Sequence, residues 1–180
     1  CWPVHEICGV ILAWNSATGA EPTWRMSDAP EYGGAGWSGY HTRSWRVRMH
    51  VQELAENVPD APHFRYVHRT PTLPTAVPST DGPVYRQETH MTSADGSLDL
   101  TFRQEAFGLG LIWLRTTSEP RMAFLNATTP LDDEHCQLTL AVLIRDAEPG
   151  GELSPAGRAH VEALFAQVDQ DVPIFEHKVY

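Results

Sequence analysis

The chain has 180 residues, the length of a single domain, and 42% of them are hydrophobic, including six Trp, which is enough for a packed core. A net charge of −10 excludes nucleic acid as a partner, because phosphate binding calls for a basic surface, and it leaves no basic patch for an anionic membrane. No apolar run is long enough to predict a membrane span, no signal-peptide pattern is seen, and the three Cys lack paired spacing, so the sequence predicts a cytoplasmic protein with reduced thiols.

In chain order, residues 9–14 form a short apolar run and read as a strand. Residues 19–39 carry three Pro or Gly clusters (Glu21-Pro22, Ala29-Pro30, Gly33-Gly34) and read as a linker or long loop. Residues 40–51 alternate, with Trp45, Val47 and Met49 on one side and Arg46, Arg48 and His50 on the other, as in a half-buried strand. Residues 51–58 predict a short helix. Residues 69–83 hold four prolines, at 71, 74, 78 and 83, and predict an irregular loop. Strands follow at 84–92 and 97–104, joined by Ala94-Asp95-Gly96, a strong hairpin signal. Further strands are predicted at 106–117, 121–129 and 135–145, and their short connections favour antiparallel pairing. Ser154 and Pro155 then cap a long helix with an apolar stripe of Ala159, Val161, Leu164, Phe165 and Val168. The order predicts an α+β fold, an antiparallel sheet wrapped on the C-terminal helix.

The stretch from Glu56 to His68 carries the chemistry: Glu56, Asn57, Asp60, His63 and His68 stand in one register. Two imidazoles and one carboxylate on one face of a metal make a non-haem Fe(II) site with positions left open. Histidines five residues apart lie about 140° apart on an ideal helix, at roughly 100° per residue, so both reach one ion only if the helix breaks between them. Pro59 and Pro62 supply that break. Taken alone, the pair also fits two surface histidines at a helix end.

The pattern Glu-Asn-x-x-Asp-x-x-His-x4-His resembles the mononuclear-iron motif of the Rieske non-haem iron oxygenases. The C-terminal run Gln170-Asp171-Val172-Pro173-Ile174-Phe175 resembles that family's last helix, where an aspartate is the third iron ligand. The match is closest to the branch of the 3-ketosteroid 9α-hydroxylase oxygenases and the cholesterol 7-desaturases. Asp171 is the matching position, and Asp169, two residues away, is the alternative. Near the other end, Trp2-Pro3-Val4-His5-Glu6-Ile7-Cys8-Gly9-Val10-Ile11 is similar to the closing strand of a Rieske domain. Residues 70–130 carry no matching motif.

The resemblance implies a START-like helix-grip fold, with residues 1–36 the remnant of a Rieske domain and linker and residues 37–180 the mononuclear-iron catalytic domain. It implies Fe(II) on His63, His68 and Asp171. Asp60 would be the carboxylate joining an iron-ligand His to a cluster-ligand His of a neighbouring subunit, with Asn57 close to the iron. Glu56 reads as a structural carboxylate satisfying local backbone. Of the remaining histidines, His177 is the one near Asp171 in sequence. A [2Fe–2S] Rieske cluster needs two Cys and two His, and Cys1, Cys8 and Cys136 are followed by no His at the family's spacings. The cluster is therefore expected only in a full-length protein, and this chain alone is expected to be inactive.

The implied function is hydroxylation or desaturation of a hydrophobic, steroid-like substrate with O2. Electrons would come from NAD(P)H through a ferredoxin or flavin reductase, and the full-length protein would be a homotrimer. Phe102, Phe107, Leu109, Ile112, Trp113 and Phe124 are expected either to line an apolar pocket or to form ordinary core. Arg65, Arg86 and Arg103 remain open as cations for an acidic substrate. Two other readings stand beside this one: a START-like module that binds a hydrophobic ligand without catalysis, and a cluster-less partner subunit of an oxygenase.

Overall fold

The computed structural model describes residues 2–146 and 152–179, so Cys1 and Tyr180 lie outside the described residues. Two short strands, β1 (Val4–Ile7) and β2 (Val10–Ala13), form an antiparallel pair. The expected single strand at 9–14 is thus the second arm of a hairpin. Its turn is Cys8-Gly9, with φ of 50° and 73°. Two successive positive φ values give the turn whose twist matches paired strands. Cys at the first of them is what hid the turn.

The main sheet has seven antiparallel strands in the order β3-β9-β8-β7-β6-β5-β4. They are β3 (His41–Arg48), β4 (Thr75–Asp81), β5 (Val84–Thr92), β6 (Asp99–Phe107), β7 (Leu111–Thr116), β8 (Met122–Pro130) and β9 (His135–Ile144). Among the described residues three helices complete the fold: α1 (Gln52–Asn57), α2 (Ala61–Tyr66) and α3 (Pro155–Glu176). This is α+β, with a mostly antiparallel sheet and a long C-terminal helix. No helix among the described residues is long and apolar enough to cross a membrane.

The predicted β5–β6 hairpin is present, with Gly96 at φ 73° and the Asp95 carboxylate accepting from Ser93, Ser97 and the Ser97 amide. Residues 69–83 depart from expectation. Their second half is β4, an edge strand paired only with β5. Pro78 fits there because an edge strand has one side without ladder partners. Of the expected irregular loop, the stretch before Thr75 remains.

Alternation along β9 sends Cys136, Leu138, Leu140, Val142 and Ile144 to the helix side of the sheet and Ala141 and Leu143 to the other. On the helix side, Val161 and Phe165 of α3 pack on Met122, Leu140 and Val142, and Phe175 packs near Ile112 and Leu138. Each such fully buried side chain contributes about 1.5–3 kcal/mol. Ala159, expected in the α3 stripe, is exposed, and Gly157 is buried in its place.

The opposite face is covered by residues 7–40. Met26 and Ala29 are buried there against Phe107, Trp113 and Leu125, with Cys8, Trp24 and Trp37 alongside. The stretch 19–39, expected as a linker or long loop, is held to the sheet because its scattered aromatic and apolar side chains have a sheet face to cover.

Candidate metal centre

Helix α1 ends at Asn57 and α2 begins at Ala61. Between them, Asp60 leaves the helical region at φ −79° and ψ 73°. Pro62 sits in the first turn of α2, where its missing N–H costs nothing. The backbone then leaves the helix at Val67, so His63 lies inside α2 and His68 beyond its end. The two rings meet edge to face with centroids 5.1 Å apart. Asp171 comes from the last turns of α3.

Ligand atoms of His63, His68 and Asp171 all lie within 4.8 Å of one another, the one such group of three among the described residues. His68 Nε2 is 3.5 Å from Asp171 Oδ1, and the two side chains are only 3% and 14% exposed. The far nitrogens are engaged. His63 Nδ1 donates to the Asp60 carbonyl, and His68 Nδ1 donates to Gln170 Oε1 at 3.0 Å. Each ring is thus held by its Nδ1, the way ligating histidines are usually held, and Nε2 of His68 faces Asp171. Phe64 backs both rings, 4.2 Å from His63 and 5.8 Å from His68 between centroids, and packs on Phe102 of the sheet.

The electrostatics of the two rings differ. Burial holds the His63 imidazole below its ordinary pKa, against the opposing pull of the Asp60 carbonyl and Asp171. Burial also pulls His68 down, but the hydrogen bonds to Asp171 and Gln170 and the Asp171 charge outweigh it, and its pKa is raised.

Asp169 faces elsewhere: its carboxylate accepts from Trp45 Nε1 at 2.7 Å and lies 3.7 Å from Arg43. Asn57 and Asp60 line a cleft of about 240 Å³ together with His63 and Asp171. Asp60 holds the N-cap position of α2, yet its carboxylate makes no capping hydrogen bond. Glu56, expected to satisfy local backbone, instead takes a hydrogen bond from the Gln52 side chain at 2.5 Å and faces Lys178 at 3.5 Å. Lys178 also pairs with the buried Glu53, tying the chain after α3 to α1. His177 stays out of the cluster, with Nδ1 donating to Pro173 O at 2.6 Å.

The six apolar strand positions divide. Phe102, Phe107, Ile112 and Trp113 are core, Phe124 packs between two core clusters, and Leu109 is exposed at a turn. Arg65 holds the Thr70 carbonyl at 2.8 Å, Arg86 pairs with Glu105 at 3.1 Å, and Arg103 with Glu88 at 2.7 Å, so all three are engaged away from the cluster. Three residues of the site were given no site role by the sequence reading: Gln170, Phe64 and Lys178. Gln170 and Lys178 had a signal, since both belong to the C-terminal motif around Asp171.

Residues 13–180 match the family described as the 3-ketosteroid 9alpha-hydroxylase C-terminal domain. A probable 3-ketosteroid-9-alpha-monooxygenase oxygenase component from Rhodococcus rhodochrous is 25% identical over 98% of this chain and 50% of its own length. A cholesterol 7-desaturase from Bombyx mori is 39% identical over 40% of the chain and 16% of its own length. Among solved structures, a quaternary ammonium Rieske monooxygenase shares the fold with a TM-score of 0.70, covering 97% of this chain and 49% of its own, at 11% identity. The chain spans about half the length, or less, of these proteins.

Proposed function

The chain belongs to the 3-ketosteroid 9alpha-hydroxylase C-terminal domain family, the catalytic domain of a Rieske oxygenase, and on that premise we propose that His63, His68 and Asp171 hold a mononuclear Fe(II). The observation that carries the reading is the convergence of His63, His68 and Asp171, with ligand atoms within 4.8 Å of one another, while the Asp60 carbonyl and the Gln170 side chain engage Nδ1 of the two rings. Two imidazoles and one carboxylate are the donor set of a non-haem ferrous site. The ion, when bound, supplies activation of O2 at the positions these residues leave open.

The residues themselves orient and exclude. Phe64 and the low exposure of His68 keep water from the sheet side of the cluster. Asn57 stands close without being one of the three ligands. The Asp60 carboxylate, free of capping duty at the cleft, is placed to accept a hydrogen bond from a histidine of a neighbouring subunit, and there electrons from a Rieske [2Fe–2S] centre would arrive. Residues 1–36 read as the end of a Rieske domain and its linker, and residues 37–180 as the catalytic domain. We read the fold as START-like helix-grip, with α3 held against the sheet. The substrate is a steroid-like hydrophobic molecule, to be hydroxylated or desaturated with O2 in the cytoplasm. A ferredoxin or flavin reductase supplies electrons from NAD(P)H to a homotrimer of the whole protein. The resemblance of the Asp171–Phe175 run to the steroid branch supports that choice. This chain alone, without the cluster, should give no product with NADH and a reductase.

The test is anaerobic Fe(II) titration. Wild type should take up about one iron per chain, as a single two-His, one-carboxylate site implies, and His63→Ala should abolish uptake. A wild type that holds no iron would leave a hydrophobic-ligand-binding module as the better reading.

A further inference from the structure

We infer that Gln87 is a positioning residue for this centre, acting through the backbone where α1 gives way to α2. The inference rests on the metal-centre reading above. The break that lets His63 and His68 converge strips the Val58 carbonyl of a helical partner. Val58 is 4% exposed, so its carbonyl needs a donor from within the protein. Gln87, on the helix side of β5 and 3% exposed, supplies it: Nε2 donates to Val58 O at 3.2 Å. Pro59 follows Val58 directly, and Asp60, whose carbonyl holds the His63 ring, comes next.

The amide is held in one orientation. Tyr85 Oη donates to Gln87 Oε1 at 2.5 Å. On the other side, Nε2 faces Thr89 Oγ1 at 2.9 Å and Gln104 Oε1 at 3.3 Å as well as Val58 O. A flipped amide would set its oxygen against the Val58 carbonyl, which can only accept, and leave that carbonyl without its donor. The network lies on a sheet face otherwise lined by Ala106, Ile112 and Phe102, where a half-satisfied polar group is costly. Such a network ties the junction to β5 through a directional bond that apolar packing alone does not supply. An error at Val58 is passed two residues on to Asp60 and five residues on to His63.

The test compares Gln87→Met, which keeps length and loses the donor, with Thr116→Val. Thr116 is equally buried on the same sheet face, and its hydroxyl bonds Pro120 O at 2.7 Å, away from Val58. Two readouts are taken: the affinity and visible spectrum of Co(II) as an iron surrogate, and amide hydrogen exchange of residues 58–66 in the metal-free protein. Gln87→Met should weaken Co(II) binding about tenfold, the size seen for residues that orient metal ligands, shift the Co(II) bands and speed exchange at 58–66. Thr116→Val should lose comparable stability and change none of these. Gln87→Met with wild-type Co(II) affinity, spectrum and exchange overturns the inference. A wild type that takes up no Co(II) contradicts the metal-centre reading, and exchange alone then decides the role of Gln87. If Gln87→Met does not fold, Tyr85→Phe, which frees the amide to flip, should move the same readouts in the same direction, and unchanged readouts overturn the inference.

Discussion

Two histidines of one motif are pushed in opposite directions by their surroundings. His63 is held below its ordinary pKa chiefly by burial, and His68 above it by Asp171 and Gln170 once burial is offset. In the metal-free protein the ring signals should therefore titrate on either side of the reference value of about 6.5, His68 above and His63 below, as followed by NMR. The signs for stability differ as well. The raised pKa of His68 contributes stability that is complete below the unfolded value and is lost as pH rises through the folded one. The lowered pKa of His63 opposes it, because the unfolded chain takes the proton first as pH falls. Coincident titration of the two rings would mean that Asp171 does not face His68 in solution. His63 and His68 were legible as a candidate pair from residue type, spacing and the two prolines, and Asp171 joined them through the resemblance of the last helix to the family motif. Phe64 and Gln87 were not, since an aromatic or an amide in a helix or strand carries no mark of what it will touch.

Helix α3 brings Asp171 to the cluster while Asp169, half a turn away, serves Trp45 and Arg43 on β3. Its start is fixed by Ser154, whose hydroxyl accepts from the Gly157 amide at 3.0 Å, and by Pro155 in the first turn. Ser154→Ala should cost about 1 kcal/mol, seen as a lower denaturation midpoint with an unchanged slope. No loss would mean that the hydroxyl is not acting as a cap. This helix and the strands from β5 onward were legible because caps, turn residues and periodicity agreed. Strand β4 was not: its proline and polar residues give it no strand signal, and pairing with β5 supplies the order. The β1–β2 turn was hidden for a related reason, because Cys8 at positive φ is not a turn-forming residue.

At the scale of the whole molecule, one sheet separates two tasks. One face carries the helices and the His63–His68–Asp171 cluster, and the other is closed by residues 7–40, with Trp113 fully enclosed between the sheet and that segment. The pattern of strands followed by a long helix made the first face readable. The second depended on tertiary burial of Met26, Ala29 and Trp24, which sit in a Gly- and Pro-rich stretch without periodicity. The account stands on the cluster, and the most direct measurement of it is iron K-edge X-ray absorption of the chain loaded with Fe(II) in the absence of O2. The account predicts nitrogen and oxygen ligands at distances comparable to the roughly 2.0–2.2 Å known for zinc with the same ligand types, together with imidazole scattering from two rings. Bound iron with oxygen ligands alone and no imidazole scattering would contradict it.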